Sequence, residues 1–251
     1  MRFMERAIKA LGYHRRAYLG GLVGVFFFSL LSLILLTAQF LNRQTQNAFT
    51  TRLQQFDSQT LTIAQHLVKA TNTAYSAVSS QYQLWWWGLL AALFATTAGC
   101  ALVFAFQRRQ ETLAYLLVGK STTDVVAQYV LENLIIFTGG YLLAWCAAML
   151  GGTWLDHWLH TLNLTLFEQH LTPNVSVASF QKVTKQLFAH RLTDFSGNDL
   201  MFPQRGMRMQ PATLVGCMQT YLCGAGALIV SQALTYTAVI SLQRHRLLHQ
   251  D

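Results

Sequence analysis

Apolar positions gather into four runs, at 18–41, 84–106, 125–150 and 212–242. A bilayer core about 30 Å thick is crossed by about 20 helical residues, so each run predicts a transmembrane helix. The second and fourth runs hold no charged residue, and the third holds one, Glu132. A carboxylate inside lipid is costly and has to face protein or water. Glu132 is therefore either a hydrogen-bonded anchor near the foot of its span or a shallow side chain reached by water.

Between the runs the pattern changes. In 1–17, Phe3, Met4, Ala7, Ile8 and Leu11 fall at helical spacing opposite Arg6, Lys9 and Arg16. That predicts an amphipathic helix lying on anionic lipid. The segment 42–83 has no Pro and no Gly and is rich in Gln, Thr and Ala. It predicts extensions of the first two spans, paired as a helical hairpin. In 151–211, Leu155, Trp158, Leu159, Leu162 and Leu166 make an apolar stripe. They predict a helix over 153–171 lying at the membrane interface, followed by loops marked by Gly197, Pro203, Gly206 and Pro211. A short tail, 243–251, closes the chain. The fold class expected is all-α, an integral membrane protein of four spans with helical segments outside them.

The polar stretch 107–124, between the second and third spans, has its own order. Leu113, Leu116 and Leu117 stand at i, i+3 and i+4 and predict a short helix from about Glu111. Gly119 is placed to stop it. Ser121-x-x-Asp124 then reads as a capping box opening the third span. A short helix, a tight corner and a long helix follow one another with little slack.

Composition supports a membrane protein: 53% of the residues are hydrophobic and 11% charged, against about 25% charged in soluble domains. The net charge of +8 is not gathered into a dense basic run, so nucleic acid is not the expected partner. Basic residues are densest close to the membrane in the N-terminal segment, at Arg108, Arg109 and Lys120, and at Arg244 and Arg246. By the positive-inside rule both termini and 107–124 are expected in the cytoplasm. Trp85, Trp86 and Trp87 then fit an aromatic belt at the opposite surface. Cys100, Cys146, Cys217 and Cys223 lie within apolar runs and read as packing residues. Asp156, His157 and His160 read as the solvated face of a helix, so no metal site is expected. No phosphate-binding loop, catalytic triad or paired catalytic carboxylates occur, so the chain is not expected to be an enzyme itself.

The stretch from Arg108 to Gly140 resembles the FtsX-like permease family, the membrane subunits of type VII ABC transporters. The resemblance rests on Arg108, Arg109, Glu111, Gly119, Glu132, Gly139 and Gly140, with their spacing, and on the four-span layout with its polar loop between spans two and three. Two departures are plain. Thr122 and Thr123 stand where relatives carry charge, and the segment between spans one and two is short where many relatives have a folded domain.

The resemblance implies a cytoplasmic ABC ATPase dimer that presses on the 107–124 loop through Arg108, Arg109, Glu111, Leu113, Leu116, Leu117, Gly119 and Lys120. It implies that four spans are half of a permease, completed by a second copy or a related permease chain. It implies no cofactor in this chain, the ATP and magnesium belonging to the partner, and a place in a bacterial plasma membrane. The task would be peptide or antibiotic export, lipid or lipoprotein handling, or control of a cell-wall hydrolase. The alternative expectation is a membrane scaffold or sensor that binds a partner through its outside segments.

Overall fold

The structure is a computed structural model, and it describes residues 15–53, 58–170 and 211–248. Among them are six helices and no strand. They are α1 (Arg15–Leu53), α2 (Ser58–Gln107), α3 (Arg109–Leu117), α4 (Thr122–Leu150), α5 (Gly152–His170) and α6 (Pro211–Leu248). Four of them, α1, α2, α4 and α6, are long and apolar enough to cross a membrane, which makes this a membrane protein by composition and length. The expected amphipathic helix at the N-terminus and the loops of the second outside segment fall mostly outside the described residues.

α1 and α2 run on past their apolar parts into 42–53 and 58–83. α1 has 39 residues and α2 has 50, which at 1.5 Å per residue come to about 58 and 75 Å, well over the thickness of a bilayer core. Nothing in 42–53 or 58–83 breaks a helix, since neither Gly nor Pro occurs there. The threonines of these extensions turn their hydroxyls back to their own helix, as Thr45 does to the Leu41 carbonyl at 2.9 Å and Thr73 to the Lys69 carbonyl at 2.9 Å.

The contacts divide into two compact units. The first contains the described residues within Met1–Leu33, Trp87–Leu150 and Cys217–Asp251. It is a bundle of the apolar parts of α1, α2, α4 and α6, together with α3. Val25, Phe28, Leu93, Phe137, Ala225 and Leu228 form one layer of its core. Ala101, Ala105, Val125, Tyr129, Tyr236 and Ile240 form another. Two glycines set the helix spacing in this bundle. A Cβ on Gly140 would meet Val25 Cγ1 at 2.9 Å and the Leu22 carbonyl at 3.1 Å, and one on Gly224 would meet the Phe137 ring at 2.6 Å. Small residues that allow close approach are the usual means of packing helices in lipid. Gly139, next in line, has nothing within 4 Å of its would-be Cβ.

The second unit contains the described residues within Ile34–Trp86 and Gly151–Gly216. Here the C-terminal part of α1, the first part of α2 and α5 pack as three helices around Ala38, Val78, Tyr82 and Leu159. Asn163 of α5 links all three. Its Oδ1 accepts from the Tyr82 hydroxyl at 2.6 Å, and its Nδ2 donates to the Ala38 carbonyl at 3.4 Å. Phe167 stacks on Tyr75 at 4.7 Å between ring centres. Of the apolar stripe read along α5, Leu159, Leu162 and Leu166 are turned to α1 and α2, while Trp158 is exposed. Leu159, Asn163 and Phe167, at successive turns of α5, are all buried there.

Candidate functional site

Arg108 stands at the break between α2 and α3. Backbone bonds run on through it: the Arg108 N–H donates to the Phe104 carbonyl and the Thr112 N–H to the Arg108 carbonyl, each at 2.9 Å. The side chain turns inward and is 7% exposed. Nη1 donates to Glu132 Oε2 at 2.8 Å, and Nη2 to the Tyr18 hydroxyl at 2.7 Å. The Tyr18 hydroxyl in turn donates to the same Glu132 oxygen at 2.6 Å. Three side chains from α1, the α2–α3 corner and α4 thus close a ring of hydrogen bonds.

A second circle of groups holds this ring. Gln128, one turn before Glu132, donates from Nε2 to the other carboxylate oxygen at 3.4 Å. The guanidinium lies over the rings of Tyr18 and Tyr129, 5.5 and 5.4 Å from their centres. Tyr129 packs on Tyr236 of α6 at 5.2 Å and meets the Thr112 hydroxyl at 3.1 Å. Burial alone would lower the basicity of Arg108. The hydrogen bond to Glu132, with Tyr18 and Tyr129 close by, outweighs it and holds the guanidinium above its ordinary value. Arg108 therefore stays charged.

Glu132 is 1% exposed. That removes the reading in which water reaches it and leaves the hydrogen-bonded anchor. A buried ion pair is held at a large desolvation cost, and losing one partner leaves the other charge uncompensated. The ring is therefore complete or badly damaged, with little between.

From this root α3 projects. Thr112 is buried, and Tyr115 packs on the core layer around Tyr129 and Tyr236. Arg109, Gln110, Glu111 and Ala114 are on its exposed side. At its tip Leu117 is 89% and Val118 82% exposed. Leu113 is partly buried, and the Leu116 side chain lies outside the described residues. The helix ends as its glycine requires: Gly119 has φ +86°, in the left-handed region, and the Lys120 N–H bonds back to the Tyr115 carbonyl at 3.1 Å. Lys120 Nζ sits 4.3 Å from the centre of the Tyr115 ring, across the same cap. Ser121 then opens α4, its Oγ accepting from the Asp124 N–H at 3.2 Å and donating to Asp124 Oδ2 at 2.7 Å.

Of the residues singled out in the sequence, Arg108 and Glu132 are brought together, and Arg109, Glu111, Leu117 and Gly119 are on the exposed side of the corner. Tyr18, Gln128 and Tyr129 were not singled out. The signal for them was Glu132 itself: a carboxylate in a span needs donors, and Gln128 lies four residues before it on the same helix face. Among the described residues no three His, Cys, Asp or Glu side chains gather to hold a metal ion. Comparisons with protein-family models, with curated proteins and with solved structures find no match to this chain.

Proposed function

We propose that the chain is the membrane subunit of an ABC-type transporter or mechanical transmitter, with α3 as the element that a cytoplasmic ATPase grips. The observation that carries the reading is the shape of the α2–α3–α4 corner. An apolar tip at Leu117 and Val118 stands out from the bundle, while the root of the same helix is fixed by the Arg108–Glu132–Tyr18 ring to α1 and α4. A helix exposed at one end and tied by a buried ion pair at the other passes a push at its tip into the spans it is tied to. The spacing of Arg108, Glu111, Gly119 and Glu132 supports the same reading through its likeness to FtsX-like permeases. On this reading ATP and magnesium are bound by the partner, and a second permease chain completes the transporter in a bacterial plasma membrane.

The test is purification of the full chain from its own membranes with whatever accompanies it. An ATP-hydrolysing subunit should come along, and Leu117→Asp with Val118→Asp should release it or abolish the effect of the membrane subunit on its turnover. Both side chains are exposed, so the variant keeps its fold. A chain that purifies without an ATPase, or a variant that leaves association and turnover unchanged, overturns the proposal.

A further inference from the structure

The second unit carries a mark that the transporter reading does not use. Among the described side chains, the exposed residues along each of its three helices change from apolar to polar at one place. On α1 the last exposed apolar side chain among the described ones is Phe40, and Arg43 and Asn47 are the next exposed. On α2 exposed Thr73, Ser76, Ser80 and Gln83 give way to exposed Leu84 and Trp85. On α5 Trp154, 71% exposed, and Trp158 are followed by exposed Thr161, Thr165 and Glu168.

These three changes are at one level. Ala38, Tyr82 and Asn163 are joined by hydrogen bonds, and each change falls within about one helical turn, roughly 5 Å, of the residue its helix gives to that junction. The direction agrees as well. The apolar side is the one towards the long apolar run in both α1 and α2. In a water-soluble bundle nothing would line up such a change across three helices. A membrane–water boundary would, and it is where Trp is enriched, with its ring in the apolar layer and its N–H among the headgroups.

We infer that the first two turns of α5 are immersed in the headgroup–acyl boundary of the bilayer, with Trp154 and Trp158 as anchors, and that α5 leaves the lipid at about Thr161. The partner of this surface is lipid. The remaining Thr161–His170, about 15 Å of helix, stands in water against α1 and α2. The inference holds on whichever side of the membrane the second unit lies.

Tryptophan emission of the full chain in phosphatidylcholine bilayers tests this, with and without bromine on the upper acyl chain. The difference between the wild type and Trp154→Phe or Trp158→Phe isolates the emission of each ring. Both contributions should be quenched by bromolipid, and a tryptophan added by Thr165→Trp should contribute emission that bromolipid leaves alone and aqueous iodide quenches. All three substitutions are at exposed positions, so folding is kept. If Trp154 and Trp158 answer to iodide and ignore bromolipid, as they would in water or beneath a protein partner, the inference fails. It fails equally if the ring at position 165 is quenched by bromolipid as they are.

Discussion

Among the described residues, the two units differ in that one buries a charge pair between its helices and the other does not. In the first, a charge pair, Arg108 and Glu132, is buried with Tyr18 among apolar neighbours. In the second, the junction of Tyr82, Asn163 and the Ala38 carbonyl is neutral, and among the described residues no charged side chain is buried there. Neutral hydrogen bonds contribute about 1 kcal/mol each and can be lost singly. A buried charge pair contributes little net stability, yet breaking it costs far more than it contributes. The second unit is thus fastened by increments, while the first adds to its own neutral bonds, such as Ser32 to Thr220 and Thr97 to Ser231, a lock that tolerates no missing part.

Removal of one charge is expected to have the largest effect. Glu132→Ala leaves Arg108 buried without a counter-charge and should lower stability by about 3–5 kcal/mol, read from unfolding of the full chain in detergent. Arg108→Met combined with Glu132→Leu removes both charges and should recover most of that loss. A double variant as unstable as the single one would mean that the ring works by shape alone. A smaller effect is expected in the second unit. Asn163→Leu orphans the Tyr82 hydroxyl and should cost about 1–3 kcal/mol. Faster hydrogen exchange should be confined to 152–170 and its neighbours on α1 and α2, and spread of the effect into α4 and α6 would show that the units do not respond separately. The smallest change is at the corner itself. Gly119→Ala forces a side chain into the left-handed region and should cost about 1–2 kcal/mol. It should speed exchange at 109–117 while the global unfolding midpoint hardly moves.

Much of the fold was written in local pattern. The four spans follow from apolar runs, the end of α3 from Gly119 and the start of α4 from Ser121 and Asp124. The continuation of α1 and α2 past the apolar runs was legible as well, in a Thr- and Gln-rich stretch that holds no helix breaker. The face of α5 was legible and its partner was not: a stripe of Leu155, Leu159 and Leu162 looks the same whether it meets lipid or protein. At the site, the need of Glu132 for donors was visible, and the identity of the donors was not. Arg108 lies 24 residues away and Tyr18 114 away. No periodicity within a helix encodes a meeting between three different helices. Arg108 also lies in a loop rich in exposed charge, which gave its side chain the look of an outward contact.

The position of Arg108 in the chain has a bearing on how the protein is made. Synthesis runs from the N-terminus, so Tyr18 and then Arg108 reach the membrane before Glu132, which follows Arg108 by 24 residues. During that interval the guanidinium at the foot of α2 has a phenol beside it and no carboxylate, and it has reason to stay in the headgroup layer. Only when α4 enters can the charge be drawn inside. A chain truncated between α2 and α4 would lack the carboxylate that draws this arginine inside.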